Sequence, residues 1–150
     1  MIPIFVDKAL NGEPITIAGD GSQYRRFVYV EDLAEGNVLA LKPVAAHRTY
    51  NLDGAEKITI RQIAETVQRI VGDVEIRYGE TRPGDYSGKE CVSLRAKTEL
   101  GWEPGTSFEE GLRRYIEWYR AREATRSRES ARLDSALVAG RGLQEIMGDQ

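Results

Sequence analysis

The segment from Thr59 to Gly72 constrains the fold more than any other part of this sequence. Thr59 and Gln62 have the spacing of a capping box, in which each side chain satisfies a main-chain N–H at the start of a helix. Apolar residues then recur every three or four positions, and Gly72 is typical of a helix end. The sequence therefore predicts one well-defined amphipathic helix, whose apolar face is formed by Ile60, Ile63, Ala64, Val67, Ile70 and Val71.

Shorter segments on both sides of this helix predict a mixed α/β fold, with a small sheet and packed helices. Runs of β-branched and apolar residues predict four strands, at Ile15 to Ile17, Phe27 to Val30, Thr49 to Leu52 and Val74 to Tyr78. Other helices are predicted at Ile4 to Leu10, Glu31 to Leu41, Ala96 to Leu100 and from Ser107 onward. In the second of these, Ala34, Val38 and Leu41 form the face that we expect to be buried.

Charge and composition exclude several classes of protein. The chain has 150 residues, with 21 basic and 24 acidic side chains and a formal net charge of −3, which argues against general nucleic-acid binding. No apolar run approaches the roughly 20 residues of a membrane-spanning helix, and the first residues do not resemble a secretory signal. For the same reason we expect no membrane partner. Cys91 has no second cysteine to pair with, so we expect no disulfide within the chain and a reducing cytoplasm.

The usual catalytic and cofactor motifs are absent from the sequence. Cys91 and His47 are too few to form a zinc site, and His47 lies in a context typical of a surface loop. The turn Gly19-Asp20-Gly21 lacks the third glycine of a dinucleotide fingerprint, and no P-loop is present. Tyr86 and Lys89 are three positions apart, one short of the spacing at which a lysine activates a catalytic tyrosine. We therefore assign no catalytic, metal-binding or cofactor-binding residue.

Two arginines in well-marked loops are the candidate ligand-binding groups. Arg25 follows the glycine turn, and Arg82 lies in Thr81-Arg82-Pro83-Gly84-Asp85. Guanidinium groups match phosphate oxygens bidentately, and two of them together suit a diphosphate. Asp85 has an acceptor suited to sugar hydroxyls. From spacing alone, solvated or ion-paired surface arginines remain the competing interpretation.

The sequence changes character after residue 119. Arginines at 120, 122, 126, 128 and 132 alternate with small and acidic residues, and apolar residues become sparse. We predict two regions, 1–119 and 120–150, of which the second is a basic helical or disordered tail. An interaction segment is the alternative for this tail.

Four stretches occur in an order that resembles a known family: Gly19 to Ala34, Tyr50 to Leu52, Arg82 to Asp85 and Leu100 to Pro104. They resemble the carboxy-terminal part of extended short-chain dehydrogenase/reductases, the NAD-dependent sugar-nucleotide epimerases and dehydratases, and most of all the UDP-glucose 4-epimerase type. The resemblance runs from about Ile2 to Trp118 and implies a fold that lacks most of the Rossmann domain.

The resemblance also implies roles for individual residues. Arg25 and Arg82 would contact the diphosphate of a nucleotide sugar from two sides, and Asp85 would contact the ribose. Thr16 and Ala18 would line the nucleobase pocket, with Phe27 packed nearby. NAD is the cofactor of full-length family members, whose glycine fingerprint and Tyr-x-x-x-Lys have no counterpart here, so we expect no NAD binding by this chain alone.

Four positions depart from the family pattern. Arg26 stands where the family usually has Asp and adds positive charge beside Arg25. Val92, Leu94 and Arg95 replace the Asp, Ser and Lys that commonly precede Ala96.

The combined prediction is a substrate-binding portion of an NAD-dependent nucleotide-sugar epimerase or dehydratase. It would bind a nucleoside-diphosphate sugar, with UDP as the expected nucleotide, and would not turn it over. Apolar surface exposed in such a portion favours self-association. Three alternatives stay open: half of a split epimerase completed in trans by a cofactor-domain chain, a non-catalytic protein-interaction module, and a fragment with no function of its own.

Overall fold

The computed structural model describes residues 1–81, 84 and 92–147, with the side chains of the last helix described through 130 and at 132. Its elements confirm a mixed α/β fold with small sheets. The helices are α1 (Ile2–Leu10), α2 (Val30–Leu39), α3 (Ile60–Val71) and α4 (Phe108–Met147), with a 3-10 turn at Pro43–Ala45 and a short π-type helix at Ala96–Leu100. The strands are β1 (Ile15–Ala18), β2 (Tyr24–Arg26), β3 (Lys57–Thr59) and β4 (Ile76–Gly79).

The four strands form two separate pairs. β1 and β4 are parallel, with Ile15 opposite Ile76 and Ala18 opposite Gly79. β2 and β3 are antiparallel, with Arg25 opposite Ile58. A parallel pair needs a long connection, which here contains β2, α2, β3 and α3.

Helix α3 has the start and the end that its sequence predicts. The main-chain N–H of Gln62 donates to Thr59 Oγ1 at 3.1 Å, and the N–H of Thr59 donates to Gln62 Oε1 at 2.8 Å. Gly72 follows the helix with a φ of 128°. α3 contacts both α1 and β1, and the core of this region is formed by Phe5, Val6, Ala9, Ile15, Ile17, Ile63, Ala64 and Val67.

A second apolar cluster lies around Trp102, which is 1% exposed. Its other buried members are Ala45, Ala96 and Leu100, and the half-buried side chains packed against it are Val28, Leu39, Tyr50 and Leu52. The Trp102 indole Nε1 donates to the main-chain oxygen of Asp32 at 2.8 Å. The Asp32 carboxylate accepts from the N–H and the hydroxyl of Thr106, at 2.9 and 3.1 Å. This cluster therefore ties the start of α2 to the segment that precedes α4.

Three local predictions are wrong. The strand predicted at Phe27 to Val30 lies earlier, at Tyr24–Arg26, and Val30 already begins α2. No strand forms at Thr49 to Leu52, because the described residues place no other strand beside it.

The third error concerns α2. Gly36 is the buried residue of this helix, because its backbone approaches Leu52 and Trp102. The helix ends at Leu39, so Leu41 lies beyond it, and Val38 and Leu41 of the predicted apolar face are 65% and 84% exposed. The apolar face of the helix points to solvent.

The chain divides into two compact units, residues Met1–Arg113 and Arg114–Gln150. Within the second unit, the ring of Tyr115 lies 5.7 Å from that of Trp118, and the guanidinium of Arg122 lies 5.3 Å from the Trp118 ring. The division into a region 1–119 and a tail 120–150 stays a prediction.

Candidate functional site

A hollow of about 420 Å³ lies between the start of α1, the strand β1 and the strand β2. It brings together three of the residues that the sequence selects, Thr16, Ala18 and Arg25. α1 adds Met1, Ile4 and Phe5 to its lining. We call it the Arg25 hollow.

Arg25 reaches this hollow because the glycine turn before it is tightly held. Gly19 and Gly21 have φ values of 66° and 72°, which side-chain-bearing residues rarely adopt. The turn is anchored on the first turn of α3, where the N–H of Arg61 donates to the oxygen of Gly21 at 3.1 Å. The half-buried Arg25 Nη1 donates to the main-chain oxygen of Tyr24 at 2.7 Å. This contact fixes the guanidinium of Arg25 close to its own strand.

Inside the turn, the Asp20 carboxylate accepts from the N–H of Ser22 at 2.9 Å. This main-chain hydrogen bond lowers the pKa of Asp20, with smaller help from the Ser22 hydroxyl and the nearby Arg61 charge. Asp20 therefore stays ionised in the turn at neutral pH and below.

The open edge of β1 contributes main-chain groups at Thr16 and Ala18. The N–H groups of Ile15 and Gly19 donate to oxygens of Glu75 and Gly79, so these alternate residues face β4. Successive residues of a strand direct their N–H and C=O groups to opposite edges. Thr16 and Ala18 therefore direct theirs to the edge where the described residues place no strand.

A second hollow of about 330 Å³ adjoins the first and shares Ile4, Phe5, Thr16 and Ala18 with it. Lys8 of α1 and Glu80, just after β4, line it as well. We call it the Lys8 hollow, and the two hollows together the β1 groove. Sequence reasoning missed Lys8 and Glu80, because they are far apart in the chain and belong to no motif.

The other selected residues are not brought into this groove. The ring of Phe27 packs on Phe108, with ring centroids 5.3 Å apart. Arg82 and Asp85 lie outside the described residues. Thr81, which directly precedes Arg82, lies beside Gly19, with its Oγ1 3.0 Å from the point where a Cβ of Gly19 would stand.

Arg26 is directed elsewhere, although it neighbours Arg25. Its Nη1 donates to the main-chain oxygens of Gly54 and Ala55 at 2.9 and 2.7 Å, and its Nε lies 4.0 Å from Asp53 Oδ2. The positive charge of Arg26 therefore stabilises the loop before β3 and is not among the groups that line the Arg25 hollow. Gly54 itself has no room for a Cβ, which would overlap the carbonyl of Phe27.

A polar cluster around Glu99 was also missed from the sequence. Tyr50 Oη donates to Glu99 Oε2 at 2.8 Å, while Arg48 Nη1 and Arg95 Nε lie 3.5 and 4.0 Å from Glu99 Oε1. Burial raises the pKa of Tyr50, and the hydrogen bond to Glu99 raises it further. The arrangement keeps this phenol protonated.

The described part of the chain contains neither a metal-ligand cluster nor a membrane-spanning helix. No three His, Cys, Asp or Glu side chains come together there as metal ligands. No helix there is both long enough and apolar enough to cross a bilayer.

Comparison with known proteins agrees with this architecture. The profile of the NAD dependent epimerase/dehydratase family matches residues 1–53. UDP-glucuronate 4-epimerase of Thermodesulfobacterium geofontis is 37% identical over 116 residues, which are 76% of this chain and 36% of that enzyme. The structure of Thermotoga maritima UDP-glucose 4-epimerase with UDP-glucose superposes with a TM-score of 0.73 at 33% identity, covering 80% of this chain and 39% of that one. The chain resembles the carboxy-terminal part of members of the NAD-dependent epimerase/dehydratase family.

A second solved structure extends the likeness to dehydratases. The dTDP-glucose 4,6-dehydratase of Bacillus anthracis, in complex with NAD, superposes with a TM-score of 0.74 at 27% identity over 82% of this chain and 39% of that one. The match falls on the carboxy-terminal part of these family members. The chain spans less than two fifths of the length of each of these three relatives.

Family members bind NAD, but the glycine turn of this chain does not fit that cofactor. A dinucleotide fingerprint places its glycines between a strand and a helix, so that the helix N-terminus meets the pyrophosphate. Here Gly19 and Gly21 are followed by β2.

Proposed function

We propose that this chain binds the nucleoside-diphosphate part of a nucleotide sugar in the β1 groove, without turning it over. The observation that carries the proposal is the Arg25 hollow, where a guanidinium, an open strand edge and a helix start line the same space. The guanidinium can bind phosphate oxygens, the strand edge offers main-chain donors and acceptors, and the dipole at the helix start favours an anion. Family likeness supports the substrate class, since the Thermotoga epimerase was solved with UDP-glucose.

The diphosphate lies against Arg25 and the first turn of α1. The N–H groups of Ile2 and Ile4 in the first turn have no helical partner, whereas Pro3 has no N–H, and the aligned peptide dipoles favour negative charge there. Met1 is the N-cap of α1 and lines the Arg25 hollow. A guanidinium and a helix start on one hollow together recognise a doubly charged group better than either does alone.

Arg82 completes the diphosphate site from the other side, and Asp85 accepts from the ribose hydroxyls. The sequence resemblance supports both roles. The position of Thr81 beside Gly19 supports the first, because Thr81 directly precedes Arg82 and Gly19 directly follows the strand that lines the groove.

The base lies along the open edge of β1, where Thr16 and Ala18 offer a main-chain donor and acceptor. Phe27 acts indirectly, by packing on Phe108 directly after the strand that carries Arg25.

Calorimetric titration with UDP-glucose, UDP and NAD tests the proposal. We expect binding of the UDP compounds and none of NAD. Arg25→Ala and Arg82→Ala should each weaken UDP binding by about 1.5–3 kcal/mol, as for a hydrogen bond to a charged group. Arg69→Ala is the control, because Arg69 pairs with Glu109 and does not line the groove. Binding of NAD without any response to UDP would overturn the proposal.

The exposed face of α2 favours a second candidate function, as half of an epimerase completed by a separate cofactor-domain chain. Val30, Val38 and Leu41 are 67%, 65% and 84% exposed, and a patch of this kind is typical of a covered surface. The unpaired segment at residues 49–52 lies against the same Trp102 cluster as Leu39 of α2. Epimerisation that appears only after adding the cofactor-binding portion of a relative with NAD is the expected result. Self-association of this chain is the competing use of the same face.

A further inference from the structure

The glycine turn of the candidate site is held on α3 by main-chain and side-chain contacts. The N–H of Ile60 donates to the oxygen of Gln23 at 2.9 Å. The N–H of Arg61 donates to the oxygen of Gly21 at 3.1 Å. The side chain of Arg61 adds a further contact, since its Nη2 donates to the main-chain oxygen of Asp20 at 2.7 Å. Arg61 therefore contacts the turn through both its main chain and its guanidinium.

The guanidinium of Arg61 also reaches the end of β4. Its Cζ lies 5.7 Å from the centroid of the Tyr78 ring, within the range of a cation–π contact. Tyr78 and Thr81 line one open hollow together with Arg61. Thr81 directly precedes Arg82, and the glycine turn leads into the strand of Arg25. Arg61 is thus shared by the two segments that lead to the arginines of the proposed diphosphate site.

The peptide group at Asp20 has few other constraints on its orientation. Gly19 and Gly21 flank Asp20 with φ values of 66° and 72°, and glycine backbones rotate more freely than those of other residues. The N–H of Gly19 is held by β4, and the oxygen of Gly21 is held by α3. Between these two anchored glycines, the Asp20 oxygen accepts from the Arg61 side chain. A guanidinium suits this role, because its planar fork presents its donors at fixed angles.

We propose that Arg61 is a positioning residue for the diphosphate, which fixes the glycine turn against the end of β4 and thereby sets the spacing of Arg25 and Arg82. This inference rests on the proposed function, since it requires both arginines to bind one diphosphate. Arg61 itself lines neither hollow of the β1 groove and is assigned no contact with the ligand. The spacing matters only while both arginines are present, and only for a ligand with two phosphates.

Titration with UDP and UMP tests the inference, because these nucleotides share their base and ribose and differ by one phosphate. The native chain should favour UDP by about tenfold or more, the factor that one further hydrogen bond to a charged group supports. Arg61→Ala should reduce this UDP-to-UMP ratio about fivefold, the factor of one net hydrogen bond of ordinary strength. Binding of UMP should persist, which also reports an intact fold, whereas general destabilisation would weaken both nucleotides alike.

Two further substitutions separate the hydrogen bond of Arg61 from the bulk of its side chain. Arg61→Met keeps a long, unbranched side chain without a donor and should lower the UDP-to-UMP ratio as Arg61→Ala does. Arg61→Lys keeps a charged donor and should restore most of the ratio. A ratio that Arg61→Met preserves would overturn the inference, because the donor would then be unnecessary.

A double-mutant cycle tests whether Arg61 acts through the spacing of the two arginines. In the background of Arg25→Ala, Arg61→Ala should have little further effect on UDP binding. A full further loss would mean that Arg61 contacts the ligand itself, and it would overturn the inference. Arg69→Ala is the control, because Arg69 lies on the same helix but pairs with Glu109, and it should leave the ratio unchanged.

The titrations distinguish failure of this inference from failure of the proposed function. If the native chain favours UDP and the ratio is unchanged in Arg61→Ala, the inference alone is overturned. If the native chain binds UDP no better than UMP, or binds neither, the proposed diphosphate site fails and this inference fails with it.

Discussion

Helices α2 and α3 are both predicted from apolar residues at helical spacing, yet these residues are exposed around α2 and buried in α3. In α3, Ile63 and Val67 are fully buried against the chain's own elements. In α2, Val38 is directed to solvent, as is Leu41 just after the helix, and α2 contacts the core through Gly36. Periodicity therefore predicts that a helix forms, whereas the burial of its face depends on which elements the rest of the chain supplies.

The two helices also differ at their starts. α3 begins with a complete capping box at Thr59, and its first turn anchors the glycine turn of the candidate site. Tyr29, the N-cap of α2, makes no side-chain capping hydrogen bond. The first turn of α3 therefore holds the glycine turn that precedes Arg25, the proposed ligand-binding residue. In α2, by contrast, the apolar side chains of Val30 and Val38 stay exposed.

The largest expected difference between the two helices is in stability. Val67→Ala removes two buried methyl groups and leaves a cavity, so it should lower the free energy of unfolding by about 2 kcal/mol. Val38→Ala makes the same chemical change at an exposed position and should stay within about 0.5 kcal/mol. Urea denaturation of both variants measures the contrast. Equal losses would mean that the face of α2 is covered in solution.

Association should depend on α2 and not on α3. Leu41→Glu places a charge in the exposed apolar face and should shift the chain toward monomer in sedimentation experiments, with little change in the urea midpoint. Ala40→Glu is the matched control, because it adds the same single negative charge at an exposed neighbouring residue without removing a large apolar side chain. If both variants associate like the native chain, this face is not the one that drives association.

The same contrast explains which parts of the fold the sequence predicts. The capping box of α3 and the helix end at Gly72 are local, so spacing alone is sufficient to find them. The strand predicted at Thr49 to Leu52 requires a neighbouring strand, which the described residues do not provide. The sequence of a single segment does not show whether such a neighbour exists. The strand predicted to begin at Phe27 lies three residues earlier, at Tyr24–Arg26. The surroundings of Phe27 are non-local as well, because its backbone lies directly against Gly54.

The candidate site divides in a similar way. Thr16, Ala18 and Arg25 were selected by family resemblance and come together around one hollow. Lys8 and Glu80 are 72 positions apart, and only the parallel pairing of β1 with β4 brings them to one hollow. The role of Arg26 could not be read from its position beside Arg25, because adjacent residues of a strand face opposite sides.

The smallest expected effect concerns Asp20, in the turn that α3 holds. The N–H of Ser22 lowers the pKa of Asp20 in the folded chain, so the unfolded chain binds its proton more readily. The stability that this carboxylate adds is therefore present above the ordinary aspartate pKa of about 3.9 and is lost as the pH falls through the folded value. Because Asp20 is fully exposed, the effect is best followed by NMR titration of its carboxyl carbon. Ser22→Ala removes the hydroxyl but keeps the main-chain donor, so the pKa should rise only part of the way back. A complete return in Ser22→Ala would show that the hydroxyl, and not the geometry of the turn imposed by α3, holds the charge of Asp20.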